Sequence, residues 1–579
     1  MSSRRPAAPT TLAACVLVAG AAAFALLGAG CAPEGRRPES AEINEPESAA
    51  EPERLETSPG WWRSAVLYEI FVRSFADSDG DGVGDLQGLI SKLDYLNDGD
   101  PTTDHDLGVG GVWLMPVMAS PSYHGYDVVD YRQVDEDYGT NADLQELVHA
   151  AHARGIRVIL DLVLNHTSDR HPWFRDAYRP GSPYHDWYIW AYEGHTYRGP
   201  WGQAVWHQLP WWKRGWRHFN CCKYYGLFSP HMPDLDQTNP RVEQEMHEIA
   251  RFWLEQIGVD GFRLDAARHL VEDGTVLQDA PGTHEWLRRF ASMCRSVRPD
   301  VLLIGEVWDE TDVIATYGPD ELDLAFGFAL ARETLRAVGR ADRTQLVEEL
   351  ERTSRLLEAN RFASFLTNHD QNRVMWHLDG RVDRAALAAG LLLTGPGVPF
   401  LYYGEELGIS GHKPDRDIRT PMQWSADRHA GFSTHRPWHP LKASYHEVNV
   451  ARQTDDPTSL LSTYRRLIRL RSEHPALSTG STRVLETGSH SVHALLRQAP
   501  GETLLVLANL AETSCDRYQL ELPDTLDTPS AVHLLYGPTA PSSPAASALT
   551  WPIPVLEPTS LYVVALPALR SPSGAEDGP

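Results

Sequence analysis

Three acidic residues in this chain each follow a short apolar run. Asp265 closes GFRLD, Glu306 closes LLIGE and Asp370 lies in FLTNHD. Arg263 stands two residues before Asp265. Residues two apart on a strand share a face, so a guanidinium and a carboxylate would be buried there together. Such burial costs desolvation free energy unless the pair has work to do. A further run, DLVLNH, carries Asp161, Asn165 and His166, and His369 sits beside Asp370. Carboxyls gathered with histidines and an arginine can pass protons to a substrate or attack it as nucleophiles. Taken singly, each motif suits a structural ion pair or a turn. Their joint recurrence at the ends of runs points to a site.

The elements that must hold these residues follow from periodicity. AVLYEIFV, GVWLMP, RVILDLV, VDGFRL, VLLIGE, LDLAFG, FASFLT and GVPFLY are apolar runs of strand length. Each suits a strand buried on both faces of a parallel sheet. Helical signals lie between them. Asn239 can cap a helix that starts at Pro240 and ends at Gly258, with Val242, Met246, Ile249, Trp253 and Ile257 on one face. Eight strand–helix units imply an α/β fold, a closed (β/α)8 barrel with its active site at the carboxyl ends of the strands. About seventy residues between DLVLNH and Pro240 are too many for a plain loop and imply an inserted small domain. HSVHALLRQ, TLLVLANL, YQLELP, AVHLLYG and SLYVVAL read as antiparallel strands of a C-terminal β-domain. The expected divisions are 1–30, a signal; 31–59, a tether; 60–166 and 239–477, the barrel; 167–238, the insertion (domain B); and 478–570, the β-domain.

The 579 residues carry a formal charge of −26, with no basic stripe to offset it, which argues against a nucleic-acid partner. Arg4 and Arg5 precede an uncharged stretch over 11–30, and Cys31 follows small residues. This layout resembles a bacterial lipoprotein signal, although Gly28 stands where such signals have Leu. It implies an acylated Cys31, a membrane anchor and an extracytoplasmic location. The following segment is rich in Pro, Glu, Ser and Ala and reads as a flexible tether. With Cys15 removed and Cys31 lipidated, Cys221, Cys222, Cys294 and Cys515 are too few for a disulfide framework. The chain is expected to act as a monomer.

From Trp61 onward the chain resembles the α-amylase family, glycoside hydrolase family 13. The resemblance rests on YEIFVRSFADSDGDGVGDLQGL, GVWLMPVMASPSYHGYDVVDY, MPDLDQTNP, GVPFLYYGEELG and the run-end motifs in their order. It implies that Asp265 is the nucleophile, Glu306 the general acid and base, and Asp370 the group that grips sugar hydroxyls. It also implies that His166 and His369 bond the sugar, that Tyr126 stacks under the ring, and that Arg268 and His269 hold the leaving-group side. Retention through an oxocarbenium-like transition state needs one ionised and one protonated carboxyl about 5–5.5 Å apart. Arg263 would keep Asp265 ionised, and partial burial beside Trp308 would raise Glu306.

DSDGDGVGD places Asp77, Asp79, Asp81 and Asp85 at alternate positions, with the Val83 carbonyl in the gap. Oxygen ligands so spaced suit Ca2+, although Gly88 stands where an EF-hand has Glu. The resemblance implies a second calcium site at Asn165, Asp234 and the His269 carbonyl. In the insertion, Trp187, Trp190, Trp201, Trp206, Trp211, Trp212 and Trp216 suit sugar platforms or a small aromatic core.

The reaction is narrowed by mixed likenesses. GFRLDAARH and SYHGYD resemble α-amylases, and Tyr123 stands where exo-acting α-glucosidases commonly have Asp. DIRTPMQW and VNVARQTDDPTSLLSTYRRLIRLR resemble oligo-1,6-glucosidases and trehalose synthases. The expectation is an endo-acting, retaining α-1,4-glucan hydrolase. The alternatives are an exo-acting α-glucosidase, a trehalose-forming or transferring enzyme, and a non-catalytic glycan-binding barrel.

Overall fold

Eight short strands pair in parallel into one sheet. They are β1 (Leu67–Ile70), β2 (Gly111–Leu114), β3 (Arg157–Leu162), β4 (Gly261–Leu264), β5 (Leu302–Gly305), β6 (Leu324–Ala325), β7 (Ala363–Ser364) and β8 (Val398–Tyr402). The hydrogen-bonded order is β6-β5-β4-β3-β2-β1-β8-β7. A parallel bridge between Phe326 and Ala363 joins the two ends, so the sheet closes on itself as a barrel. The computed structural model describes residues 58–191, 197–209, 223–358, 360–523, 531–538, 547–550, 553 and 555–566. Cys31, the signal and nearly all of the tether lie outside the described residues, as do Trp211, Trp212, Trp216, Cys221 and Cys222.

Alternate strand residues fill two different cores. Leu67, Trp113, Ile159, Ile304, Phe326 and Phe400 pack inside the barrel. Tyr68, Val112, Leu160, Phe262 and Leu303 face the surrounding helices. Burial on both faces is why these runs are almost uniformly apolar. Gly261 faces inward where no larger residue fits, since an added Cβ would lie 2.1 Å from the Leu302 carbonyl oxygen.

The helix Pro240–Phe252 starts as expected, with the Asn239 side chain accepting from the Arg241 amide at 3.0 Å. Its last turn is wider than an α-turn over Trp253–Ile257, before Gly258 at φ 89°. That turn sets Trp253, whose Nε1 donates to the Tyr131 carbonyl at 2.9 Å.

Between β3 and β4 the strands Trp190–Ala191, Lys223–Tyr225 and Trp206–Gln208 form a small antiparallel sheet. Bridges from His166 to Asp234 and from Tyr188 to Leu235 tie its base to the end of β3.

The C-terminal sheet comprises β9 (Ser481–Val484), β10 (Val492–Ala499), β11 (Glu502–Asn509), β12 (Ala531–Tyr536), β13 (Ser547–Thr550) and β14 (Ser560–Ala565). It is antiparallel throughout, in the order β9-β10-β11-β14-β12-β13. YQLELP is not a strand. It runs beside Glu486 and Thr487 with scattered bonds, Gln519 N to Thr487 O at 2.9 Å and Glu521 N to Glu486 O at 3.4 Å, and stops at Pro523. Short, partly polar β9 and β13 hold the sheet edges instead, and their sequences carry little strand signal.

Two buried arginines grip the end of one barrel helix, and the one on β10 ties this sheet to it. Arg471 donates to the carbonyls of Leu393, Gly395 and Gly397, and Arg497 on β10 donates to those of Thr394, Ala476, Leu477 and Gly480. Leu393 and Thr394 end the helix Val382–Thr394, so both cations meet the negative end of a helix dipole.

Candidate active site

The carboxyl ends of the strands meet at one mouth. Arg263 on β4 lies level with Asp161 on β3 and Ile304 on β5. Its guanidinium, buried to 1% exposure, holds three carboxylates at once. Nη1 donates to Asp161 at 2.9 Å and to Asp265 at 2.7 Å, and Nη2 pairs with Glu306 at 2.8 Å. Asp265 follows the end of β4 and Glu306 follows the end of β5, so each carboxyl projects above the barrel. The Ala266 amide donates to Glu306 at 3.1 Å. Ala266 adopts a left-handed φ of 49°, a strained conformation that turns this amide toward the neighbouring strand.

Asp370 enters from the β7 loop. Arg419 Nη2 bonds it at 2.7 Å, and His369 Nε2 lies 3.3 Å from its other oxygen. His369 is buried, with Nδ1 2.5 Å from Glu69 on β1 and Nε2 2.6 Å from the Tyr126 hydroxyl. Tyr126 also bonds Asp161 at 3.0 Å, and its ring stacks on that of His369 at 5.7 Å. Tyr126, Asp161, Arg263, Asp265, Glu306, His369 and Asp370 thus form one continuous polar network.

Charge is distributed unevenly across it. Burial pushes the Asp265 carboxyl up, Arg263 opposes this, and the net direction is upward. Arg263 therefore does not serve Asp265 alone, because Asp161 and Glu306 share its charge. Burial likewise raises Glu306 against the pull of Arg263, with Asp265 and Asp370 adding to the rise. Asp161 is pushed up to about 7 by burial. Three carboxyls thus compete for one cation, and burial favours the protonated form of each. Asp370 differs. Its side chain keeps 38% of its surface exposed, so desolvation is partial, and His369 and Arg419 hold it well below the usual carboxylate range.

Other expected residues are placed as follows. Trp308 is exposed and leans on Phe328, so the burial of Glu306 comes from the barrel mouth rather than from that indole. His166 is buried, its Nε2 3.2 Å from the Tyr126 carbonyl, and burial lowers it to about 4. Arg268 is engaged within the protein, by Asp279, by Asp309 at 2.7 Å and by the Trp308 carbonyl at 2.7 Å. His269 is buried, with Nδ1 on the Leu277 carbonyl at 2.8 Å, and burial lowers it to about 4. Against His269 lie Phe228 and the exposed Trp201, at ring distances of 5.9 and 5.8 Å. The tryptophans of the insertion divide. Trp187 packs with Trp173 and Tyr184, and Trp190 stacks on Phe174, as an aromatic core; Trp201 is exposed and leans on Phe228 and His269.

Two clusters suit a hard cation. Asp77, Asp79 and Asp85 each bring an oxygen within 4.8 Å of the others. Asp81 lies outside that group, and its carboxylate accepts from the Val83 amide at 2.7 Å. The loop needs Gly82, at φ 99°, because an added Cβ would lie 2.2 Å from the Arg436 carbonyl oxygen. At the base of the insertion, Asn165 donates to the buried Asp234 at 3.0 Å. Glu272, which no sequence motif marks, has a buried Oε1 with no partner among the described residues, and neither has the buried Tyr225 hydroxyl. Burial, and then Asp234, push Glu272 well above the usual range. The donor set fits a calcium ion. Glu69 and Arg419 were also not singled out. Glu69 had one signal, an acid inside an otherwise apolar strand run.

Comparison with known proteins agrees with this geometry. Residues 69–480 match the family described as alpha amylase, catalytic domain. The chain is 40% identical over 457 residues to "Alpha-amylase 3" of Dictyoglomus thermophilum, covering 78% of this chain and 85% of that one. It is 37% identical to a trehalose synthase of Thermus thermophilus over 78% of this chain and 51% of that one. The crystal structure of an α-amylase from H. orenii superposes with a TM-score of 0.76 at 37% identity, over 87% of this chain and 99% of that chain.

Arg263→Met removes the shared cation and keeps the bulk. Stranding three carboxyls should cost about 3–5 kcal/mol of stability, read by urea denaturation. A loss below about 1 kcal/mol, within the range of an exposed pair, would mean that the guanidinium does not organise the site.

Proposed function

The chain belongs to the α-amylase family of glycoside hydrolases, and we propose that it is a retaining, endo-acting hydrolase of α-1,4-glucans such as starch and maltooligosaccharides. The observation that carries this reading is the fork of Arg263, with Asp265 on one Nη and Glu306 on the other. It brings a nucleophile and an acid to opposite ends of one scissile bond, as double displacement requires. Asp265 attacks the anomeric carbon while Glu306 gives its proton to the departing glycosidic oxygen, and a β-linked glycosyl ester forms on Asp265. Glu306, now ionised, takes a proton from water. The hydroxide oxygen bonds to the anomeric carbon, the ester bond breaks, and Asp265 is regenerated with an α-configured product. The raised pKa of Glu306 suits the first step, where it must carry a proton, and its loss of that proton suits the second. Asp370, ionised between His369 and Arg419, is placed to accept bonds from the hydroxyls of the distorted sugar.

Trehalose synthesis is the second reading, favoured by the similarity to the Thermus thermophilus enzyme and by DIRTPMQW. There the glycosyl ester would be captured by a sugar hydroxyl in place of water. Calcium is proposed at Asp77, Asp79 and Asp85, and at Asn165, Asp234 and Glu272. When bound it would neutralise crowded carboxylates and fix the inserted domain on β3. A lipid anchor at Cys31, outside the cytoplasm, and a monomeric state complete the reading.

The early product ladder from maltoheptaose, with the anomer followed by NMR, tests the reaction. Mixed maltooligosaccharides of α-configuration are expected, and Glu306→Gln should lower turnover by about 10²-fold or more. Glucose alone would indicate exo cleavage, trehalose from maltose an isomerase, and no product a non-catalytic barrel. For the metal, saturating Ca2+ at about 100 times its Kd should stabilise the wild type by about 2.7 kcal/mol, and Glu272→Gln should weaken that response. An unchanged melting curve on chelation would remove calcium from the account.

A further inference from the structure

Glu69 is an acid inside the barrel wall. Leu67 belongs to the cluster that fills the barrel, and Glu69, two residues on, shares its inward face. It is 2% exposed and lies level with Trp113 and Tyr402. A carboxylate so placed is costly without a partner. Its partner is the equally buried His369, whose Nδ1 lies 2.5 Å from Oε1.

The hydrogens around His369 can be counted. Nδ1 donates to Glu69. Nε2 faces the Tyr126 oxygen at 2.6 Å and Asp370 Oδ2 at 3.3 Å. Tyr126 has one hydroxyl hydrogen, and Asp161 Oδ2 lies 3.0 Å from it. If Tyr126 gave that hydrogen to Nε2, Asp161 Oδ2 would keep only the bond from Arg263 Nη1 at 3.1 Å, and a ring nitrogen without its own hydrogen would face the Asp370 carboxylate. If Tyr126 gives it to Asp161, its oxygen accepts from a protonated Nε2, whose hydrogen also faces Asp370. The second arrangement gives each carboxylate facing the ring, Glu69 at Nδ1 and Asp370 at Nε2, an N–H to accept from, and it places hydrogens on both ring nitrogens.

We propose that Glu69 is a positioning residue that keeps His369 an imidazolium, so that the ring presents a charged N–H to Asp370 and to the sugar hydroxyl beside it. The part played by the sugar rests on the glycosidase reading above; the ion pair does not. The groups that face the ring agree. Glu69 comes from β1, Tyr126 from the β2 loop, Asp161 from β3, Asp265 and Glu306 from the ends of β4 and β5, and Asp370 from the adjacent position. Against these acids stand Arg263 on β4 and Arg419, whose Nε bonds the His369 carbonyl at 3.0 Å. Burial works against the charge, but Asp370 and Glu69 outweigh it and carry His369 up to about 9.

The test is 15N NMR of histidine-labelled protein, with His369 assigned by loss of its signals in His369→Gln. At pH 7.5 both ring nitrogens of the wild type should be protonated. In Glu69→Gln the ring should titrate at least about one unit lower, a tenfold change in its protonation constant. kcat/KM of that variant should then fall at least about twofold at pH 8 and recover toward wild type near pH 5.5, where the ring is recharged. Glu69→Asp, which keeps the charge, should retain much of the protonation. A neutral ring in the wild type, or an unshifted titration in Glu69→Gln, overturns the proposal. If Glu69→Gln does not fold, the wild-type spectrum decides alone. Wild-type protein inactive on every glucan would remove the glycosidase reading while the nitrogen spectrum still tested the ion pair.

Discussion

One buried guanidinium sets the layout of the mouth. Arg263 reaches Asp161, Asp265 and Glu306 from a single strand position, and none of these carboxyls has a second arginine within bonding distance among the described residues. Three acids competing for one cation cannot all ionise freely. Burial raises each of them against the pull of that one cation. A few ångströms away the balance is reversed: Asp370 has two cationic neighbours, His369 and Arg419, which hold its carboxyl well below the usual range. Neighbouring carboxyls with opposite ionisation are the physical core of the proposed chemistry.

That layout needs a rigid frame. The closing bridge from Phe326 to Ala363 and the apolar filling of the barrel fix the strand register, and the register places Asp161 level with Arg263. The opposite end of the barrel is stitched by a second network. Buried Asp260 accepts from His152, Arg157 and Arg298, which overcome its burial and hold its carboxyl below the ordinary range. Arg497 on β10 then fastens the C-terminal sheet to the helix Val382–Thr394, whose end Arg471 also holds. Stability is built at the foot and flank, and the strained, cation-sharing groups are kept at the mouth.

Much of this was legible in the sequence because parallel barrel strands leave a strong signal. Apolar runs on both faces, each ending in a polar cluster, located all eight strands and the carboxylates after them. Partly polar edge strands leave no comparable mark in the sequence, so β9 and β13 carry little signal, whereas YQLELP alternates like a strand and forms none. Residues that act through others were also hidden. Arg419 lies far along the chain from Asp370, and Glu272 gains meaning only from an unpaired oxygen near Asp234. The partners of Arg268 were hidden in the same way, since Asp279 and Asp309 lie further along the chain.

The central claim is that Asp265 becomes covalently bonded to the sugar while Glu306 manages the proton. Trapping tests it most directly. The enzyme would be incubated with a 5-fluoro-glycosyl fluoride, whose fluorine slows breakdown of the ester, then digested and sequenced by mass spectrometry. The account predicts one glycosyl group on the peptide containing Asp265, located at that residue. A label on any other side chain, or turnover that yields a β-configured product with no adduct, would contradict it.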